Sequence, residues 1–477
     1  MANTRIFISD TPNHIGETIT VYGWIHSKRV MGQTVFIDLR DSSGLVQVVF
    51  GEEMRSSIET VKPESVVMIT GEVVERGGKN INEKITTGKI EIQGKGIEVK
   101  NESLTPPFEI SQENVIDEET RLKYRYLDLR HERMHQNLIM RHKIIAFIRG
   151  FLDNRQFVEV ETPLLSAPTP EGARDFLVPS RKYKGSFYAL PQAPQQYKQL
   201  LMVAGLERYY QIARCFRDED SRGDRQPEFT QLDLEMSFVD REDVIKLNEE
   251  LLIDLVTTLY PNKKIQTTPF PKLTYAEVME KYGTDRPDLR KDKNDPDLLA
   301  FCWITDFPFF ERVESDRPDS AEQQNEGKTK WTFTHNPFSA PLETSTKDLL
   351  DGKNIDKIIS AQYDIALNGF EIGGGSIRNH KPDALLAALK IMGYDTKKAE
   401  ADFGHLLEAF RYGAPPHGGI AWGLDRLVMI LQNEPNIREV IAFPKTDKGR
   451  DPMMDSPREV DTATLNELGL TLKRTKS

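Results

Sequence analysis

The chain has 477 residues, 38% of them apolar and 29% charged, with a formal net charge of −11. That length predicts at least two domains, the composition suits a globular enzyme, and no run approaches the roughly 18 apolar residues of a membrane span. The negative balance argues against a protein that coats nucleic acid over its whole surface, although a local stripe of Lys and Arg can still hold phosphates.

Met1–Gly16 lacks the charged-then-apolar pattern of an export signal, so a cytoplasmic protein with no membrane partner is expected. Between residues 15 and 100, short alternating stretches predict five strands: Thr18–His26, Val35–Arg40, Leu45–Phe50, Ser65–Glu75 and Lys89–Val99. Turn signals at Asp41-Ser42-Ser43-Gly44 and Gly77-Gly78 separate them, and five such strands suit an OB-type barrel, whose face commonly stacks single-stranded bases. Residues 1–104 hold 12 Lys and Arg against 14 Asp and Glu, so RNA affinity there must come from placement and not from bulk charge. Residues 105–120, with Pro106-Pro107, read as a linker, and 121–477 as one mixed domain in an α+β chain.

In that larger domain a helix over Arg141–Asn154 precedes a strand over Phe157–Glu161 that ends at Pro163. From Arg214 to Glu235 two strands are predicted as an antiparallel hairpin. Phe229, Gln231, Asp233 and Glu235 lie on one side of the second strand, and the loop carries Arg217, Arg222 and Arg225. Arginines at rigid strand ends suit bidentate phosphate recognition, while a solvated charged hairpin remains the alternative. Asp285–Asp297 and Glu311–Lys330 read as exposed or partly disordered loops. In Gly418–Leu431 glycines permit close approach to a ligand, and an apolar helix after them leaves the Arg426 guanidinium free to stack or pair. Cys215 and Cys302, lone and in apolar surroundings, are expected to be buried free thiols.

The helix and strand around Arg141–Pro163, the hairpin and the Gly418–Leu431 segment resemble, in order, the three signature motifs of the class II aminoacyl-tRNA synthetases. Within that class the chain is similar to the bacterial-type aspartyl-tRNA synthetases. The likeness rests on Arg121–Arg130 (RLKYRYLDLR), Thr169–Asp175 (TPEGARD), Phe370–Arg378 (FEIGGGSIR) and Ile441–Lys445 (IAFPK). The resemblance implies an OB-fold anticodon-binding barrel, then a catalytic domain built on an antiparallel sheet with flanking helices. It also implies activation of L-aspartate by ATP and transfer of the aspartyl group to tRNA(Asp). A carboxylate is already a nucleophile, so the chemistry asks for positioning and charge stabilisation and not for a protein base.

By the same resemblance Arg217 bridges the α-phosphate and the substrate carboxylate, and Phe229 lies under adenine, with Arg426 stacked on its other face and neutralising the γ-phosphate. Arg225 reaches the outer phosphates and Glu219 acts nearby, while Gln226, Gly423 and Asp425 complete the ATP site. Asp364 and Glu371 would hold Mg2+, a hard ion that takes oxygen ligands. Lys198 and Arg378 would grip the side-chain carboxylate of aspartate, with Gln195 and Asp233 receiving its ammonium group. Gln192, His335 and Glu171 join the aspartate site, the last on a loop hinged at Gly172. Taken without the resemblance, Lys198 is a helix-surface lysine and Asp364 a solvated carboxylate. Asn336 stands where relatives often have a second histidine.

On the barrel, Phe36 would stack on the central anticodon base, Gln47 would read its edge and Arg29 would contact the same loop, a barrel-core phenylalanine being the other reading of Phe36. Met31 and Lys79 replace the His and Gly of relatives that also charge tRNA(Asn), which favours a discriminating enzyme; a non-discriminating one stays open. An insertion of about a hundred residues, carried by bacterial relatives between the second and third motifs, is expected to be missing, since a folded domain cannot fit between Leu289 and Trp303. The first motif implies a homodimer. An asparaginyl or amide-forming paralogue, or an RNA-binding protein with a decayed site, are the rival readings; the barrel argues against the amide-forming enzyme and the intact arginines against decay.

Overall fold

A computed structural model describes residues 5–112, 116–168, 171–312 and 331–473. The chain divides into two compact units, Met1–Glu132 and Arg133–Ser477.

In the first unit a closed barrel is formed by β1 (Thr18–Met31), β2 (Thr34–Asp41), β3 (Gly44–Phe50), β4 (Val66–Glu75) and β5 (Ile90–Asn101). The five expected strands are therefore present, each within a few residues of its predicted limits apart from the longer C-terminal half of β1. Alternation explains them: Val35, Ile37 and Leu39 on β2, and Val46 and Val48 on β3, are fully buried, while their neighbours face outward. Parallel pairing of Val48 with Ile92 closes the barrel. A short helix, α1 (Glu52–Ile58), was not expected; seven residues with one buried apolar side chain give no periodic signal. Lys28 Nζ donates to the Glu59 and Val61 carbonyls just beyond its end at 2.7 and 2.6 Å.

The second unit is built on an eight-stranded sheet. Its strands are β6 (Val158–Glu159), β7 (Arg208–Phe216), β8 (Glu228–Ser237), β9 (Lys272–Thr274), β10 (Phe301–Thr305), β11 (Gln362–Leu367), β12 (Phe370–Ile377) and β13 (His417–Gly423). Across the sheet the order is β9-β10-β11-β12-β13-β8-β7-β6, antiparallel except for the two edge pairings. The first-motif helix, α2, runs over Glu132–Asp153, nine residues earlier than its predicted start. The strand after it keeps only Val158–Glu159, because it meets β7 solely at Tyr209 and Tyr210 before the chain turns toward Pro163.

Strand β8 decides where the chemistry lies. Leu232, Leu234 and Met236 enter the main core, packed with Trp422 and Leu427, while Gln231, Asp233 and Glu235 point to the opposite face and are buried as well. Acids survive burial only when paired with cations, so this face must carry positive charge. Between β9 and β10 the chain passes through a helix at Tyr275–Tyr282 and a loop that Gln266 pins to Leu289 and Lys291 at 2.9 and 2.8 Å. That loop is ordered by its own contacts, contrary to the partly disordered reading of Asp285–Asp297. Of the second segment, Glu311 and Arg312 pair with Trp331 and Thr332, and residues 313–330 lie outside the described residues.

Candidate active site

A cavity of about 440 Å³ opens over the polar face of β8, β12 and β13. Its lining brings together fifteen of the expected residues: Glu171, Gln195, Lys198, Arg217, Glu219, Arg225, Gln226, Phe229, Asp233, His335, Glu371, Arg378, Gly423, Asp425 and Arg426. Gln192 and Asp364 stand just behind it. Gln192 clamps the loop of Glu171 by accepting from the Ala173 amide at 2.9 Å and donating to its carbonyl at 2.8 Å. Gly172 adopts φ +103°, a backbone that β-carbon residues rarely take. Thr169 and Pro170 of that segment lie outside the described residues.

The deep end is a charge lattice. Helix α3 (Gln195–Val203) presents Lys198, whose Nζ reaches Asp233 at 2.9 Å and Glu235 at 3.4 Å. Arg378 donates Nε and Nη2 to the two oxygens of Glu235 at 2.8 and 3.0 Å. Lys198 is 1% exposed, which excludes the helix-surface reading. Burial raises the Glu235 pKa, but Arg378 and Lys198 outweigh it and hold the carboxyl below its ordinary range. Sequence reasoning assigned Glu235 no role; the signal was the period-two run Gln231, Asp233, Glu235, which set it on the same face. One oxygen of Asp233, Oδ2, is buried without a partner.

The floor is the glycine run of β12. A Cβ on Gly374 would fall 2.8 Å from Asp364 Oδ1, and one on Gly375 would fall 2.1 Å from the Gly419 carbonyl, so only glycine lets these strands close. Asp364 accepts from Gln362 Nε2 at 2.7 Å and lies 3.2 Å from His335 Nε2. Burial depresses the His335 pKa, yet Asp364 and Glu371 lift it above its ordinary value. Glu371 opens into the cleft, where crowding by the walls, then Asp364, raises its own pKa against Arg426 and His335.

The shallow end carries the arginines. Arg217 lies with its guanidinium carbon 5.2 Å from the Phe229 ring centre. Arg225 and Glu219 form a loose, exposed pair at 3.5 Å. Arg426 is not free, which corrects the expectation: Nη1 donates to the Glu371 carbonyl, and Nη2 reaches Asp224 Oδ2 at 3.1 Å. Asp425, the first acid of helix α4 (Leu424–Leu431), accepts from Arg141 Nη1 at 2.5 Å and from the Thr230 amide at 2.8 Å. It thereby ties all three motifs together. Asn336 lines the cavity, its amide oxygen turned to the Phe338 N–H at 3.0 Å. Both cysteines are buried, and burial pushes the Cys302 thiol up to about 12.

In the first unit, Phe36 and Gln47 are half-buried on the outer barrel face. Phe36 pairs across the sheet with Arg29 and Val49, and Gln47 with Asp38. Phe36 is thus not a core residue. Met31 is 66% exposed and Lys79 is exposed on the Gly78–Asn80 turn.

A closed five-stranded barrel and an antiparallel sheet bearing arginines on a hairpin and on a Gly-capped helix define a class II aminoacyl-tRNA synthetase. Residues 117–447 match the model of tRNA synthetases class II (D, K and N), and residues 19–106 that of the OB-fold nucleic acid binding domain. The aspartate–tRNA(Asp/Asn) ligase of Rubrobacter xylanophilus is 41% identical over 586 aligned positions, covering 96% of this chain and 95% of that protein. The aspartate–tRNA ligase of Staphylococcus epidermidis is 39% identical over 581, covering 97% and 98%. The chain therefore belongs to the aspartate–tRNA ligases, class II synthetases that consume ATP to join aspartate to tRNA. Because the 586 positions include only 96% of 477 residues, over a hundred have no counterpart here. Solved structures share the fold: asparaginyl-tRNA synthetase of Pyrococcus horikoshii in complex with asparaginyl-adenylate (TM-score 0.72, 23% identity, 94% and 99% coverage) and a Leishmania major putative aspartyl-tRNA synthetase (0.72, 22%, 96% and 96%). No described helix is long and apolar enough to cross a membrane.

Proposed function

We propose that the cavity runs both half-reactions with its deep end taking aspartate and its shallow end ATP, in an enzyme that charges tRNA(Asp) alone. The observation that carries this is the buried Lys198–Asp233–Glu235–Arg378 lattice, which presents two cations and a partner-free Asp233 oxygen at one depth. The cations suit the side-chain carboxylate of aspartate, and Asp233 with Gln195 suits its ammonium. A neutral asparagine side chain would offer Lys198 and Arg378 no charge to attract, which favours aspartate.

With aspartate so held, its α-carboxylate oxygen attacks the α-phosphorus of ATP, the bond to the β-phosphate oxygen breaks, and diphosphate leaves. Arg217 neutralises both anions as they meet. Phe229 and Arg426 sandwich the adenine, Arg426 also neutralising the γ-phosphate, and Gln226, Gly423 and Asp425 form the wall around it. Arg225 and Glu219 stand by the phosphate tail. In the second step a terminal ribose hydroxyl of tRNA attacks the acyl carbon, AMP departs and a proton is released. Glu171 on its hinged loop shields the aspartate, and His335, whose pKa Asp364 raises, adds positive charge beside the adenylate when protonated.

The donors fit magnesium: Glu371 and Asp364 supply hard oxygens, and Asp364 makes Glu371 harder to ionise, a repulsion that a dication relieves. Mg2+ would neutralise charge on the phosphate tail. Arg29, Phe36 and Gln47 would read the anticodon by stacking and edge contacts, and Met31 and Lys79 favour tRNA(Asp) over tRNA(Asn). A cytoplasmic homodimer formed through α2 and β6 completes the reading, and apolar Val158, Leu164 and Leu165, each at least 45% exposed, support such a contact.

Charging purified tRNA(Asp) and tRNA(Asn) transcripts with labelled aspartate tests this, with Lys198→Ala as control. Charging of tRNA(Asp) only, abolished in the control, is expected. Charging of both would refute the discriminating reading; an active Lys198→Ala enzyme would refute the aspartate end.

A further inference from the structure

We infer that Asp224 is an internal stand-in for the nucleotide's phosphates, a carboxylate that occupies Arg426 until ATP displaces it and so sets the affinity for ATP. The inference rests on the reading that Arg426 serves the nucleotide. Asp224 and Arg426 line the same cavity and come from separate elements, the hairpin loop and helix α4. Arg426 Nη2 faces both the Asp224 carboxylate at 3.1 Å and its carbonyl at 3.3 Å, and Nε is buried with no partner. An anion arriving in the cavity would meet a guanidinium whose outer edge is already neutralised.

The pair is placed to open. Its side chains are 18% and 20% exposed, so solvent reaches both charges and the two can separate without either being fully desolvated. The loop does not depend on it for shape. Arg222 and Arg225 exchange two backbone hydrogen bonds at 3.1 and 3.2 Å, and the Ile437 amide donates to the Gly223 carbonyl at 2.9 Å. Asp224 can therefore release Arg426 while its backbone stays anchored on both sides. The exchange is like for like: one anion leaves a cation as another arrives, and a carboxylate is left beside the polyphosphate as a repulsive neighbour. The same acid can recapture Arg426 as diphosphate departs, which favours turnover over tight ground-state binding.

Calorimetric titration with an ATP analogue whose α,β-bridging oxygen is a methylene group, without aspartate, tests the inference on the full-length enzyme. Asp224→Asn keeps the shape and removes the charge; it is expected to bind the analogue about 2- to 10-fold more tightly than wild type. Asp224→Ser, which also leaves the backbone anchors intact, should do the same, and diphosphate release should slow by a similar factor in both. Unchanged or weaker binding by both variants, with Arg426→Ala still weakening it, would overturn the inference and spare the nucleotide site. An Arg426→Ala enzyme that binds the analogue as well as wild type would overturn the site reading, and the inference with it.

Discussion

The two ends of the cavity handle charge in opposite ways. At the deep end Lys198, Asp233, Glu235 and Arg378 are each no more than 3% exposed and are paired before any ligand arrives. At the shallow end Arg217 lies against Phe229, Arg225 pairs with Glu219 and Arg426 with Asp224, through longer or partly exposed contacts. Burial removes the option of solvation, so the deep charges must satisfy each other and become rigid. Exposed charges cost little to separate and can be handed to a ligand. Selectivity for a small acid belongs with the first arrangement, and exchange of a large polyanion with the second.

The largest effect expected from breaking this contrast is at Glu235. Glu235→Ala strands the buried Arg378 and leaves Lys198 with Asp233 alone, and should cost about 3–5 kcal/mol of stability, read as a fall in the urea midpoint. Its pH dependence has a definite sign. The folded pKa lies below the ordinary 4.5, so the stability Glu235 contributes is present above that value and is lost as pH falls through the lower folded one. Glu235→Gln should therefore show a shallower loss of stability on acidification than wild type; parallel curves would mean the lattice is not electrostatic.

Next comes His335, at the border of the two ends. Its raised pKa contributes stability that is fully present below the ordinary 6.5 and is lost as pH rises through the folded value. In an NMR titration Asp364→Asn should shift the imidazole midpoint down, and thermal melts of the two proteins should differ more at pH 6 than at pH 9. No shift would remove Asp364 as the cause. The smallest effect is expected at Arg225, whose pairing with Glu219 is open to solvent. Arg225→Ala should leave stability within about 0.5 kcal/mol and act only on the KM for ATP in diphosphate exchange. A destabilised variant would show that the shallow end is as rigid as the deep one.

What could be read from the sequence follows from the same physics. The barrel was legible because each strand repeats one rule, apolar side chains inward every second residue, from Val35 to Leu39 and from Val46 to Val48. The gathering of Arg217, Phe229 and Arg426 was legible as motifs. Their pairing was not: that Lys198 lies between Asp233 and Glu235, and that Arg426 is held by Asp224, depends on distances between segments up to two hundred residues apart. Helix α1 was invisible because seven residues make too short a period, and the order of the Asp285–Asp297 loop because a charged composition does not announce the Gln266 side chain that pins it.

Neither sheet presents a long open rim. The barrel closes on itself, and the eight-stranded sheet ends in β9, three residues long, on one side and β6, two residues long, on the other. Unpaired backbone groups on an edge strand are the usual template for strand addition between chains. The outermost strands of the described eight-stranded sheet have few such groups to offer, so any copy that docks at β6 must be recognised by its side chains.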